Sequence, residues 1–484
     1  MVGASEPGTP SEANLPADAG LGTPLPSDLL AAAADLRAAR IAFVQGAGCS
    51  VEPPTNLPLS RDLSAETHRK LQEDGVLGVD DCEDPNDLSQ LADAIFAANG
   101  SQRPVVDRFP PSRLANATPN AGHVVAAALL RERAVGSVMT LNFDLAQRSA
   151  LSVLGAADVA TLRGPEDYGL AGGATLIFLH RNIDADPDAL ILRTDALRDE
   201  WRDHWQEVVA ERVLASAFVV FCGVGTSSSI LEETTNRILK AVAEGSRIYV
   251  VDPSPPEDSK FFQSLRLSSQ NYLRMTWCEF ASELGRRLVA EHVHAIREGC
   301  NALSAVNSWE VEDIDTQCAA LETLSLPELG ELRAKWMLNN ETYLQHEPNI
   351  VMMLADLVVG VALLARLAGA TAMIEKDGVV EFEGNHGRSS VVMCSGGGYR
   401  RWAATETAAV EACRRRSRRK PAPAVAVVSG FVGGRGAVAA PQDLVSESAS
   451  GGLVGGPIHD GYIVLSLDEV RADHGRAMQA IGVV

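Results

Sequence analysis

Short, unbroken apolar runs recur along the first half of the chain, at Ile41–Gln45, 138–141, 175–179, Phe218–Cys222 and 248–251. Segments with apolar residues at helical spacing lie between them, notably 123–133, 196–213 and 232–243. Strands buried on both faces lose their in–out alternation, so such runs alternating with helices predict a parallel sheet covered on both sides, an α/β fold of Rossmann-like type. Ahead of the sheet, Asp28 is placed to cap a helix through Arg40 that carries Leu29, Leu30, Ala33 and Leu36 on one face. The sheet is expected to finish near Val251, with a helix over 278–292 packing back on it. Residues 58–113, polar and helix-prone, form a helical insertion between the first two strands.

Beyond about residue 299 the pattern changes to acidic helices over 301–347 and one strongly apolar helix over 350–370. Asp356 and Arg366 interrupt that apolar segment and leave nine uncharged residues between them, where a membrane-spanning helix needs about 20. It reads as a buried helix, with no membrane anchor. A second, smaller α/β unit follows, with strands near 379–382, 390–394, 424–429 and 462–467 and a helix over 401–416. The expected organisation is a disordered tail at 1–28, a nucleotide-binding domain at 29–298, a helical linker region at 299–375 and a C-terminal α/β domain at 376–484.

Composition narrows the partners. The 484 residues carry 42 Lys and Arg against 63 Asp and Glu, a formal charge of -21, which argues against a surface that wraps nucleic acid or lies along an anionic membrane. The eight cysteines are scattered with no Cys-x-x-Cys pair, the usage of reduced intracellular thiols. The first 28 residues are rich in Pro, Gly, Ser, Ala and acid and lack a basic start followed by an apolar run, so they are not a secretory signal and a cytoplasmic location is expected.

Candidate chemistry gathers where strands end. Gly46-Ala47-Gly48 follows the first strand, where backbone amides at the carboxyl edge of a sheet can hold a phosphate. The third glycine of a G-x-G-x-x-G fingerprint would fall at Val51, so the loop is either a tight strand exit or a nucleotide loop of another kind. Asn142 and Asp144, in MTLNFD, leave the next strand toward the same crevice, although taken alone the pair reads first as helix capping, with Asp144 starting the helix that runs through Leu151. His180 ends the strand TLIFLH, and FVVFCGVGTSSSI brings Gly223, Gly225, Thr226 and Ser227 to a fourth strand exit.

The ordered set of motifs is GAGCS at 46–50, Pro58 beyond it, PNAGHVVAAAL leading into VMTLNFD, then LIFLH, LILRTDALRDEW, VVFCGVGTSSS and RIYVVDPSP. Over about 29–291 it resembles the sirtuin-like NAD-binding domain. More narrowly, it resembles the bacterial branch found in antiphage NAD-depleting effectors. The resemblance implies that Gly46, Ala47, Gly48 and Ser50 cradle the NAD phosphates and adenosine-side ribose. It implies that Asn142 orients the attacking water or the nicotinamide ribose, with Asp144 near the nicotinamide amide and His180 at the ribose hydroxyls. Gly223, Gly225, Thr226 and Ser227 would close over the adenosine ribose, and Asp252 would lie toward the adenine. NAD is then the substrate, because cutting its glycosidic bond needs a positioned water and a ribose anchor but little acid help for a neutral leaving group. Three departures stand out: Arg181 follows the histidine where the family usually has glycine, serines fill 227–229 where many members carry an acid, and Phe143 replaces the commoner tyrosine. No zinc cysteines are present, so no zinc is expected and protein deacylation is disfavoured.

The C-terminal unit carries CSGGGYRRW at 394–402, a strand, glycine turn and helix start with two arginines, and the basic run RRRSRRK at 414–420. The two arginines at the helix start could bind a nucleotide phosphate, and the basic run could add to that or touch nucleic acid, but arginines at a helix C-terminus are favoured by the helix dipole alone, so a structural reading of the run is favoured. The strand order is like a restriction-endonuclease core, but Met393-Cys394-Ser395 stands where metal-binding acids would be, so a regulatory or degenerate nuclease-like module is expected, loosely similar to nucleotide-sensing SLOG domains. The whole reads as an NAD glycohydrolase under control of a nucleotide or protein trigger, working as a homo-oligomer or in a partner-protein complex. The rivals are a module that binds NAD or ADP-ribose without cutting it, a protein-modifying transferase or deacylase, and a nucleic-acid-dependent effector.

Overall fold

The computed structural model describes residues 24–35, 39–78, 81–156, 158–170, 173–199, 204–225, 229–241, 247–307, 314–336, 350–385, 387–395, 402–416, 423–429, 461–467, 470 and 473–482. The first sheet has seven strands, Ile41–Gln45 (β1), Val135–Thr140 (β2), Ala160–Leu162 (β3), Thr175–Phe178 (β4), Phe218–Cys222 (β5), Arg247–Val251 (β6) and Tyr272–Leu273 (β7). They lie in the order β3-β4-β2-β1-β5-β6-β7, and every neighbouring pair is parallel. Central strand β1 is buried along its whole length, as its unbroken apolar run requires. The chain leaves β1 toward β2 on one side, and β5, which pairs on the other side, continues to β6. The carboxyl ends of β1 and β5 therefore flank the reversal of strand order where α/β sheets open a ligand crevice.

The structure extends the expected elements at several points. Edge strands β3 and β7, three and two residues long, were not foreseen, and the sheet continues past Val251 through β7. The helix expected over 278–292 runs from Trp277 to Asn307, 31 residues, straight through the 298/299 boundary, so the linker region begins inside a helix. The helix expected from Asp28 to Arg40 spans Ser27–Ala34 with Pro26 at its N-cap position. Asp28 is drawn into an ion pair with Arg247 and accepts from the Tyr249 hydroxyl at 3.1 Å. Tail residues 1–23 lie outside the described residues.

The insertion folds into helices with a core of its own, in which Leu63, Leu71, Leu91, Ile95 and Phe109 are buried and against which Phe143 packs. Phe109 and Phe143 stand with ring centroids 6.4 Å apart, so the insertion leans directly on the loop that carries Asn142 and Asp144. The helices Ile314–Glu322, Leu326–Trp336 and Ile350–Ala368 follow the 277–307 helix and share its hydrophobic core. The apolar helix is buried there from Leu354 to Val359 apart from the slight exposure of Asp356, and no helix among the described residues is long and apolar enough to cross a membrane.

The C-terminal sheet is mixed. Thr371–Ile374 (β8), Val379–Gly384 (β9) and Gly387–Ser395 (β10) form an antiparallel meander, and Val425–Ser429 (β11) and Ile463–Ser466 (β12) continue it in parallel from β10. Met393 and Cys394 are core residues with no exposure. Arg416, at the end of the Trp402–Arg416 helix, donates to the carbonyls of Asp377 and Lys335, and Arg414 lies over the Tyr462 ring. These basic side chains are thus used within the fold; residues 396–401 and 417–420 lie outside the described residues.

Candidate active site

A single row of backbone hydrogen bonds runs along the carboxyl edge of the first sheet. Leu179 N–H donates to Thr140, Leu141 to Gln45, Gly46 to Cys222, Gly223 to Val251 and Asp252 to Leu273. One residue beyond the ordered strands, this row aligns His180, Asn142, the loop 46–50, Gly223 and Asp252. From β4 to β6 it crosses four inter-strand spacings, about 19 Å at ~4.8 Å each. A ligand that touches both ends must be elongated.

At the reversal point the two glycine loops close on each other. Gly48 N–H donates to the Gly223 carbonyl at 3.0 Å. A Cβ on Gly46 would stand 2.5 Å from the Gly223 oxygen, and one on Gly223, whose φ is +62°, would stand 2.6 Å from the Cys49 nitrogen. Glycine is required here for close backbone approach and, at Gly223, for left-handed backbone. The amides of Gly46 and Gly48 are therefore directed at the β5 exit. Ala47, Gly48, Cys49 and Ser50 coil into a short 3₁₀ turn that lifts Ser50 toward β2.

Ser50, Asn142 and Asp144 form one contact group. Ser50 Oγ donates to Asp144 Oδ2 at 2.9 Å, and Asn142 Nδ2 donates to the Gly46 carbonyl at 3.0 Å and to Ser50 Oγ at 3.3 Å. Asp144 Oδ1 also accepts from Ala146 N–H at 2.9 Å, so the carboxylate starts the following helix and faces the crevice at once. It is 7% exposed. Burial pushes its carboxyl above the ordinary value, and hydrogen bonds from Ala146 and Ser50 only partly offset this.

His180, at the exit of β4, is held to the backbone of Leu141 at the exit of β2. Its Nε2 is shielded from solvent, and burial lowers the imidazole to about 4, so the ring is neutral at physiological pH. The next residue, Arg181, has φ +63°, the left-handed backbone that glycine adopts most readily. This gives the glycine usual at that position a physical reason. The Arg181 guanidinium stands 4.0 Å from Glu166, just beyond β3.

The remaining candidates are more dispersed. Asp252 is on the same edge, but its Oδ1 accepts from Ser254 N–H at 2.8 Å within its own loop. Gly225 is exposed and a Cβ there would meet nothing within 4 Å. Thr226 and Ser227 lie outside the described residues. A cavity of about 440 Å³ bounded by Asp28, Arg40, Phe218 and Arg247 sits at the amino edge of the strands, opposite the crevice.

Sequence reasoning missed a buried layer beneath the loop. Asn120 has no exposure; its Nδ2 donates to the Cys49 carbonyl at 2.8 Å while its Oδ1 accepts from His123 N–H. Gln45 Nε2 donates to Gln147 Oε1, whose amide donates in turn to the His123 carbonyl. The Asn-x-x-His spacing of PNAGH is a legible capping signal; its reach to the 46–50 loop is not.

No protein-family profile matches the chain, and no curated protein matches it. Solved structures do. One, described as the structural basis for the mechanism and regulation of Sir2 enzymes, is 14% identical, with 54% of this chain aligned to 98% of that one at a TM-score of 0.30. A Sir2 homologue in complex with NAD is 16% identical over 56% of this chain and 96% of its own, with a TM-score of 0.32. A mutant Sir2 homologue in complex with ADP-ribose is 16% identical over 55% and 96%, also at 0.32. These are likenesses of chain path at low identity, and they carry no argument about the crevice.

Proposed function

We propose that the crevice binds NAD as a substrate and hydrolyses it to nicotinamide and ADP-ribose. The observation that carries this reading is Asp144: a buried carboxylate answered by hydrogen bonds from Ser50 and Ala146 rather than by a guanidinium, at the mouth of a strand-order reversal. Such a group favours a cationic ligand moiety, and the nicotinamide ring of NAD is a cation. When the C1′–N bond breaks, its electron pair goes to the nicotinamide nitrogen and the positive charge passes to the ribose as an oxocarbenium-like centre. Water adds at C1′ and releases one proton, giving nicotinamide, ADP-ribose and H⁺.

In this reading Asn142 orients the water or the ribose. His180, neutral and fixed against Leu141, accepts hydrogen bonds or a proton from the ribose hydroxyl side. The loop of Gly46, Ala47, Gly48 and Ser50 lies along the phosphates and adenosine-side ribose by close backbone approach rather than through the Gly46 and Gly48 amides, which donate to Cys222 and Gly223, with Gly223, Gly225, Thr226, Ser227 and Asp252 toward the adenosine. The motif order supports a bacterial, cytoplasmic antiphage effector whose C-terminal domain receives a nucleotide or protein trigger, in a homo-oligomer or partner complex.

A second reading, a sensor that binds NAD or ADP-ribose without cutting it, is favoured by one observation. Asn142 Nδ2 is already engaged with Gly46 and Ser50, and turnover requires the ligand to redirect it. Nicotinamide release from NAD by the full chain decides between them. Asn142→Ala and His180→Ala should each lower the rate by about 10²-fold or more while retaining ADP-ribose binding. Binding by wild type without release would establish the sensor.

A further inference from the structure

Glu52, two residues past Ser50, has no part in the chemistry above, yet it makes a contact that spans 226 residues. Its Oε2 accepts from Cys278 N–H at 2.9 Å, in the first turn of the 277–307 helix. We propose that Glu52 is a positioning residue that clamps the 46–52 loop to the amino end of this helix and so sets the loop's geometry for nucleotide binding. The proposal rests on the reading of that loop as the nucleotide loop.

The helix does not need Glu52 as its cap. Thr276 N–H donates to Glu279 Oε2 at 2.8 Å and Glu279 N–H donates to Thr276 Oγ1 at 3.2 Å, a reciprocal capping box. Glu52 is a second acid brought to the same end, where the helix dipole favours negative charge. On its other side Glu52 is coupled to Ser50 through a closed turn. Its carbonyl accepts from Thr55 N–H at 3.1 Å, and the Ser50 carbonyl accepts from Leu57 N–H at 2.9 Å. Asn120 Nδ2 reaches the carbonyls of both Cys49 and Glu52.

The first helical turn has little room to move independently. Trp277 packs edge-on to Phe43 of β1 with centroids 5.9 Å apart, and a Cβ on Gly122 would stand 2.3 Å from its indole Nε1. At 31 residues the helix is about 46 Å long at 1.5 Å per residue. Its far half holds the linker, with Arg297 ion-paired to Asp315 and Glu322 and Cys300 Sγ 3.5 Å from the Ala355 carbonyl. Loop and linker therefore sit on one rigid element.

Cys278 reports on the clamp without any ligand. It is half-buried, whereas the other seven cysteines are buried. Burial, and then the Glu52 carboxylate beside it, push its thiol up to about 12, which slows alkylation. The test uses the full chain with Glu52→Ala and Glu52→Gln, reading Cys278 alkylation by iodoacetamide and the KM and kcat of nicotinamide release. Both variants should alkylate several-fold faster. Glu52→Ala should raise the KM for NAD about tenfold with kcat within twofold, and Glu52→Gln, which still accepts the Cys278 N–H, should recover most of the KM. Unchanged alkylation in both variants would show that the Glu52 carboxylate does not stand against Cys278 and would remove the clamp, and faster alkylation with unchanged KM would remove the positioning role. If wild type releases no nicotinamide, hydrolysis fails as a function, and NAD and ADP-ribose affinities replace KM in the same comparison. If it binds neither, the positioning role falls, while alkylation still shows whether the clamp exists.

Discussion

Two buried carboxylates, Glu132 and Asp144, lie on the same side of the sheet and have opposite surroundings. Glu132, 2% exposed, is ion-paired with Arg333, itself 5% exposed, and has Arg131 at 3.7 Å. Burial alone would raise its carboxyl, but Arg333 and then Arg131 outweigh this and hold it below the ordinary value. Asp144 is buried almost as deeply with hydrogen bonds alone, and its carboxyl is raised. A carboxylate matched by cations joins parts of the fold, here the end of the Ala121–Arg131 helix to the Leu326–Trp336 helix of the linker. One left unmatched at a strand-order reversal holds a charge that a ligand can complete.

The largest effect expected from this contrast is at the joint. Glu132→Ala leaves two guanidinium groups without their acid and should cost about 3–5 kcal/mol, read as a lower urea midpoint, with ADP-ribose affinity unchanged in the folded protein. A loss below 1 kcal/mol would show that the linker does not depend on this pair. The Glu132 contribution is present above the ordinary carboxylate value and is lost as pH falls through its depressed folded value. Asp144 has the opposite sign: its folded state loses stability as pH rises through the raised value.

A smaller effect isolates the backbone beside His180. Arg181→Gly relieves a non-glycine left-handed conformation and should raise stability by about 1 kcal/mol, with nicotinamide release within twofold of wild type. A large fall in release would mean that the guanidinium acts in the crevice rather than toward Glu166.

The contrast was only partly legible in the sequence. Strands β1 and β5 matched their apolar runs residue for residue, because burial on both faces leaves an unambiguous signal. Strands β3 and β7 were invisible because three or two residues cannot establish a period. The 277–307 helix outran its expected end because its later turns are held by the linker, a tertiary cause. At the site, strand-exit reasoning directed Asn142 and Asp144 toward the loop that follows β1, and Ser50 of that loop contacts both. The contacts of Asn120 and Glu52 join positions 71 and 226 residues apart, and no local pattern encodes them. The match between Glu132 and Arg333, 201 residues apart, was hidden for the same reason.

The most direct test of the unmatched carboxylate compares NAD with ADP-ribose, which lacks the cationic ring. Calorimetric titration of both ligands in the Asn142→Ala background, where NAD survives, would be repeated with Asp144→Asn added. The account predicts that Asp144→Asn weakens NAD by about tenfold or more, as expected for a buried charge interaction above ~1.4 kcal/mol, and leaves ADP-ribose within twofold. Equal weakening of both ligands, or no change for NAD, would contradict the placement of the nicotinamide at Asp144 and with it the proposed cleavage.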